Sequence, residues 1–424
     1  MTPSDTPQPA TRLLGRNAVF STITAGSASL LLVLQVAFAR TLGNDAFGRF
    51  SWALTLATLG EALMDLGLHQ VTIRAVARDR SQARRLLDNS LALKALTGAA
   101  MLVVMGGVTM LVGRLFGLDP DVRTATLVLL VSAVLRSYLL TVRGVLQGLE
   151  QFGRDCLVVV GDRVLLLAVA GSALWQGAGL VGVATAFVLA RVLSVIGALI
   201  MARGRAGGLA LGFDFQLWRD LQRQALPIGV FLIVLNFYSY IDTFMLGLIS
   251  TYTDTGLYNY AYRIYEGLSY APAILSALLT PRLSHLASVD LARHRRLAHQ
   301  GIAAAALLAV ALAVPIAWFA GPLLAVVFGP DARQATLALR LLSGGLAFIF
   351  VIWILQAVAI SVFRERLLLT TTAIGAVANV ALNLHLIPRY GRDGAALATL
   401  VGEGLTMTLL LYGLRRVLFG RVRA

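Results

Sequence analysis

The chain is poor in charge. Of its 424 residues only 13% are Asp, Glu, Lys or Arg, about half the roughly 25% that an ordinary soluble domain carries. Hydrophobic residues make up 58%, and the mean hydropathy is +0.79; both argue against a soluble enzyme. Cysteine is nearly absent. Cys156 stands alone, so no internal disulfide can form, and no Cys/His group has the spacing of a metal site. Lysine is absent except for Lys94, a bias that reads as genome composition rather than mechanism. The five histidines are scattered. No Walker motif, G-x-S-x-G or H-E-x-x-H occurs, so ATP hydrolysis and covalent catalysis lack a candidate site. Long polar stretches are missing too, which leaves no inserted globular domain and no outer loop large enough for a glycosyltransferase or polymerase site.

What is present is a series of apolar runs. A bilayer crossing needs about 20 apolar residues, and runs of that order fall near 17–39, 50–71, 86–113, 122–148, 156–176 and 178–201. They resume near 224–249, 255–280, 300–328, 335–360, 367–388 and 394–414. The expected fold is therefore all-α and polytopic, with about twelve transmembrane helices. The first run ends in Ala37-Phe38-Ala39, like a signal-peptidase site. It exceeds the 7–15 residues of a cleavable core and reads as a retained helix.

Twelve crossings put both termini on one side. Connections on that side hold 22 arginines, against seven on the other, which by the positive-inside rule makes the termini cytoplasmic. The net charge of +15 thus reads as topology plus attraction to anionic membrane lipids, not as a nucleic-acid signal.

Two patterns recur. Gly48-Arg49-Phe50-Ser51-Trp52-Ala53 and Gly256-Leu257-Tyr258-Asn259-Tyr260-Ala261 share Gly-x-aromatic-x-aromatic-Ala at an offset of 208. Gly179-Leu180-Val181-Gly182-Val183-Ala184 and Gly391-Arg392-Asp393-Gly394-Ala395-Ala396 match at an offset of 212. Each opens the same-ranked run of its half. A duplicated six-helix unit follows, and because six is even the copies are parallel repeats. The expected organisation is a disordered cytoplasmic tail (1–16), an N-terminal lobe (17–202), a basic cytoplasmic linker (203–223), a C-terminal lobe (224–418) and a short cytoplasmic tail (419–424). Seven of the eight prolines beyond the first tail lie in the second half, which marks that lobe as the one that bends more.

Charges retained at bilayer depth are costly, about 2.5–3.5 kcal/mol each unless they face protein or water. Lys94, Arg136, Arg143, Arg163, Arg191, Arg263 and Arg340 fall there, as do Glu61, Asp65, Asp162, Asp242, Glu266 and Glu403. Thirteen such groups imply a hydrated cavity and transport. Arg136 and Arg143, two turns apart on one helix face with no acid beside them in that helix, suit a phosphate-bearing anion. Together with Lys94 and Arg263 they are the candidate substrate ligands; snorkelling to the surface is the bland reading of Arg143. Asp242, Glu61, Asp65 and Glu266 are the candidate coupling or gating acids. An Arg263–Glu266 pair and a Lys94 pair with Glu61 or Asp65 are equally open. No resident metal or cofactor is expected, only a transported coupling cation, H+ or Na+.

The segment Ala39-Arg40-Thr41-Leu42-Gly43-Asn44-Asp45-Ala46-Phe47-Gly48-Arg49-Phe50, followed by Asp65-Leu66-Gly67 and Arg74, resembles the first repeat of the polysaccharide-transporter, or O-antigen flippase-like, proteins of the multidrug/oligosaccharidyl-lipid/polysaccharide exporter superfamily. Leu226-Pro227-Ile228-Gly229, Ile241-Asp242-Thr243-Phe244-Met245-Leu246-Gly247, Pro281-Arg282-Leu283, Asn379, Asn383-Leu384 and Ile387-Pro388-Arg389-Tyr390-Gly391 follow in the order of that family. The resemblance implies a bacterial inner-membrane flippase that moves a polyprenyl-diphosphate-linked oligosaccharide by alternating access. Its partners would be polysaccharide polymerase and glycosyltransferases. Only Asp242 and Arg74 carry over as motif positions. An ion-coupled multidrug exporter of the same superfamily is the alternative.

Overall fold

Apolar runs in a bilayer have no water to satisfy their backbone, so they fold as helices. The computed structural model, which describes residues 19–20, 22–24, 26–206 and 212–420, contains helices and no strand among those residues. The expected tail at 1–16 lies outside the described residues, as do 207–211 and 421–424; of the expected tail at 419–424, Phe419 ends α13 and Gly420 caps it. The helices are α1 (Ala28–Asp65), α2 (Leu68–Arg78), α3 (Ala83–Phe116), α4 (Pro120–Gly148), α5 (Phe152–Trp175), α6 (Leu180–Ala206) and α7 (Phe215–Ile249). They continue with α8 (Tyr252–Ser269), α9 (Ala271–Val289), α10 (Leu291–Trp318), α11 (Ala320–Phe328), α12 (Thr336–Ser361) and α13 (Glu365–Phe419).

Among the described residues nine helical stretches are long and apolar enough to cross a membrane. Two are too long for one crossing. The 55 residues of α13 would run about 83 Å at 1.5 Å per residue, against a hydrocarbon core of about 30 Å. Gly391 breaks it at φ 52°, ψ −130°, and Gly43 breaks α1 at φ 76°, ψ 175°. These conformations are open to glycine and strained for other residues, so the two glycines make the corners the apolar pattern requires. Dividing there gives eleven crossings. The α8–α9 pair, too polar to qualify by hydropathy, is the twelfth.

The expected boundaries miss several features. The second run is interrupted by left-handed Leu66 and Gly67, which separate α1 from α2. The eighth is interrupted at Tyr270 and the ninth at Phe319. The basic gap at 282–299 is not a loop. Asp290 alone separates α9 from α10, in an extended conformation, and its carboxylate accepts the Arg293 N–H at 2.9 Å. The joint before α3 is built the same way. Asp79 is extended (φ −142°, ψ 97°, against −148° and 93° at Asp290) and accepts the Ser81 N–H at 3.0 Å. The described residues of the expected linker at 203–223 are largely helical as well. α7 starts at Phe215 because Trp218 and Leu221 have a core to enter, and the Trp218 indole donates to the Asn89 carbonyl at 3.1 Å.

The helices gather into two compact units, one of residues up to 41 with 53–237, the other of 42–52 with 238–424. In the first, Val71, Leu86, Leu91, Val142, Leu146, Val158, Ala198 and Trp218 form a core from α2 to α7. In the second, Leu283, Ala298, Ile352, Leu355, Val358, Leu410 and Leu414 do the same for α9, α10, α12 and α13. Close packing rather than water exclusion holds helices together in lipid, and α10 shows how. Gly301, Ala305, Ala309 and Ala313 form a buried stripe at four-residue spacing. A methyl at Gly301 would stand 2.8 Å from Leu279 and 3.2 Å from Ile354.

Within the second unit the duplicated motif packs on its own copy. A Cβ at Gly48 would strike the Tyr252 carbonyl, and one at Gly256 would strike the Asn44 carbonyl. The offset is 208 both ways, so the contact is reciprocal, as about a local two-fold axis.

Candidate functional site

Each unit carries its own set of buried charges. In the first unit, Glu61 and Asp65 lie one turn apart near the end of α1, Lys94 on α3, Arg136 and Arg143 on α4, Asp155, Asp162 and Arg163 on α5, and Arg191 on α6. The expectation that Arg136 and Arg143 have no acid beside them fails, because the acids come from neighbouring helices. Arg143 bonds Asp155 through Nε at 2.7 Å and through the second nitrogen at 3.4 Å, and Gln147 adds a bond to the same carboxylate at 2.9 Å. Arg136 stands 3.3 Å from Glu61 and keeps 47% of its side chain exposed. Lys94 is 1% exposed; its ammonium donates to Asp65 at 2.6 Å and also to Ser137. Arg191 is paired with Asp162.

Arg163 is the exception. With Asp162 turned to Arg191, its guanidinium donates to the Thr24 carbonyl at 2.6 Å and to the Ser27 hydroxyl. No carboxylate pairs with it among the described residues. Besides the Arg84–Asp88 pair at 3.7 Å, this set in the first unit is five cations, Lys94, Arg136, Arg143, Arg163 and Arg191, against four acids, Glu61, Asp65, Asp155 and Asp162.

The second unit has the opposite imbalance. Asp242, 3% exposed, accepts from Tyr258 at 2.7 Å, Thr399 at 2.6 Å and the Asn383 amide. That amide also donates to the Asn379 oxygen at 3.0 Å, while the Asn383 side-chain oxygen is buried with no partner. Glu403, four residues beyond Thr399 on α13, accepts from the Tyr265 hydroxyl through one oxygen, and its other oxygen is buried and unpartnered. No cation pairs with either acid among the described residues. Arg263 and Glu266 are paired with each other at 2.6 Å. Arg74 is exposed on α2.

Of the expected substrate ligands, the structure gathers Lys94, Arg136 and Arg143 in one unit; Arg263 lies in the other. Asp155 was missed. It was readable, because the short α4–α5 turn at 149–151 folds two antiparallel helices back on each other and brings 143 opposite 155. The pairing of Asp242 with Thr399, 157 residues away, carried no such local signal. Among the described residues no cluster of three or more His, Cys, Asp or Glu side chains is placed to hold a metal ion.

Among known proteins, the model of a family described as "Polysaccharide biosynthesis protein" matches residues 14–287. Probable flippase AglR of Haloferax volcanii is 31% identical over 180 residues, which are 41% of this chain and 36% of that protein. The chain thus spans about a third of that relative's length. A solved lipid II flippase MurJ in an inward closed conformation superposes with a TM-score of 0.76 at 13% identity, over 94% of this chain and 87% of that one. An inward-facing multidrug resistance MATE family transporter of the MOP superfamily gives 0.77 at 18% identity, over 95% and 98%. Both likenesses concern the fold.

Proposed function

The chain belongs to the polysaccharide biosynthesis protein family, and from that membership we propose that it is a flippase, not an enzyme. It carries a polyprenyl-diphosphate-linked oligosaccharide across the cytoplasmic membrane by alternating access, for cell-surface polysaccharide synthesis. Both termini face the cytoplasm, and polymerase and glycosyltransferases work on either side of the step. The observation that carries this reading is the cation surplus of the first unit. A diphosphate brought to bilayer depth loses its hydration, and only fixed positive groups can offset that loss. Arg163, bonded to neutral groups alone, and Arg136, half-exposed beside Glu61, are the guanidiniums placed to meet phosphate. Arg143 and Lys94 hold their neighbours in place through Asp155 and Asp65.

The second unit supplies the coupling ion. Asp242, with oxygens of Asn379, Asn383 and Thr399 beside it, offers the oxygen donors a hard monovalent cation takes, and the unpartnered Asn383 oxygen fits a ligand there. Asp242→Asn should remove the dependence of transport on the driving cation gradient while the protein stays inserted.

The test uses a deletion strain complemented with Arg136→Ala/Arg163→Ala. Surface polysaccharide should fall at least tenfold, with lipid-linked oligosaccharide accumulating on the inner face. Full export by the double variant overturns the assignment. The uncompensated acids Asp242 and Glu403 would also suit a cationic drug, the substrate class of the multidrug alternative. Drug hypersensitivity of the deletion strain with normal polysaccharide would favour that reading.

A further inference from the structure

At the α9–α10 joint the second unit has a notch of about 540 Å³, lined by Arg282 and His285 from α9, Arg293 and Arg296 from α10, and Leu286 and Leu297. Its shape follows from Asp290. A single extended residue turns the chain, so the last two turns of α9 and the first two of α10 bring their basic residues to one space. Arg293 and Arg296 are three apart, as are Arg282 and His285, and each pair shares a helix face. Arg293 reaches Asp290 at 3.2 Å. Arg282 and Arg296 meet no carboxylate among the described residues. The neighbouring Arg295 is otherwise engaged, donating to the Val417 carbonyl at 2.8 Å at the end of α13. Three guanidiniums thus face one space with one carboxylate between them.

The notch continues into an apolar stripe. Ile274, Leu278 and Arg282 follow at four-residue spacing along α9, and the two apolar members are 70% and 67% exposed. Positive charge at the end of a lipid-facing apolar track matches an amphiphile with a phosphate at its head. We propose that this notch binds the headgroup of an anionic phospholipid. The phosphate sits among Arg282, Arg293 and Arg296, and an acyl chain lies along Ile274 and Leu278.

The duplicated joint of the first unit is the internal control. Its own notch, about 450 Å³, is lined by Arg80, Arg84 and Arg154. There Arg80 pairs with Glu150 at 2.7 Å, and Arg154 bonds Gln151 and the Met201 carbonyl. Arg84 stands 3.7 Å from Asp88; the first notch's arginines are thus committed, whereas Arg282 and Arg296 of the second meet no carboxylate, and the lipid should prefer the second.

The experiment is native mass spectrometry of the protein released from nanodiscs of phosphatidylcholine with or without phosphatidylglycerol, and it does not depend on what the protein transports. The wild type should retain phosphatidylglycerol over phosphatidylcholine. Each basic residue near a membrane surface contributes about 1 kcal/mol, so Arg282→Gln/Arg296→Gln should weaken retention about 30-fold. Arg282→Lys/Arg296→Lys should keep most of it, and Arg80→Gln/Arg84→Gln should change it little. Unchanged retention in the glutamine variant, equal retention of phosphatidylcholine, or displacement of the lipid by millimolar inorganic phosphate alone would overturn the proposal.

Discussion

Asp65→Asn tests whether Lys94 is held as the structure shows. The ammonium is 1% exposed and has two partners, the Asp65 carboxylate and the Ser137 hydroxyl. The substitution leaves both hydrogen-bond acceptors but removes the only negative charge. Breaking a buried pair from one side costs about 3–5 kcal/mol, because the remaining charge is buried without compensation. At 1.4 kcal/mol per decade, the folding equilibrium shifts by about two to three and a half orders of magnitude. Removing both charges is different: Asp65→Leu/Lys94→Met replaces the pair by apolar groups and should recover most of the loss.

Unfolding by sodium dodecyl sulfate in mixed micelles, followed by tryptophan fluorescence, reads all three proteins, and export is measured in the same strains. An Asp65→Asn protein as stable as the native one would refute the buried pair. A double variant that is stable and exports normally makes Lys94 structural; one that is stable and silent returns Lys94 to the substrate.

Gly48→Ala should lower the folded yield sharply, since its methyl meets a backbone carbonyl rather than a side chain that can turn away; overpacking of this kind costs about 1–3 kcal/mol or more. Gly161→Ala, with nothing within 4 Å of the added methyl, should be neutral, and size-exclusion profiles separate the two. Outside the membrane, Asp214 lies ahead of α7. The Leu217 N–H and then the Arg85 guanidinium hold its carboxyl below the usual carboxylate range. A lowered value in the folded state means a contribution that is full above the unfolded value of about 4 and fades as pH falls through the folded one. Asp214→Asn should therefore be less stable than native at neutral pH and equal to it in acid. A gap that widens in acid would reverse the sign.

The crossings were legible because apolar length is a local property, and so were the glycine corners at 43 and 391, which fall in the gaps between runs. The breaks at Leu66, Tyr270 and Phe319 were not, since each lies inside an apolar run. The basic stretch 282–299 looked like a loop because its arginines outnumber its core residues. Only Leu283, His294 and Ala298, all fully buried, show that one face of it is packed. The candidate site was half legible: the cost of buried charge identified the residues, but their partners sit on other helices. Arg136, read as unpaired from its own helix, finds Glu61, 75 positions earlier.

Topology explains the arginines in the loops but not those inside the helices, where each charge must be recovered locally. In the first unit pairing recovers all but Arg163. In the second, Asp242 and Glu403 are recovered by hydroxyls and amides alone. A carboxylate paired to a cation stabilises its fold, and one kept without a cation does not; the same substitution should therefore act oppositely at the two kinds of position. Asp155→Asn strands Arg143 and should cost more than about 2 kcal/mol. Glu403→Gln keeps an acceptor for Tyr265, removes the uncompensated charge, and should cost nothing or stabilise, while transport falls. That is the trade expected where a site is held ready for a ligand. Detergent unfolding of the two variants decides it, and a Glu403→Gln protein weakened as much as Asp155→Asn would show that Glu403 has a cationic partner within the fold.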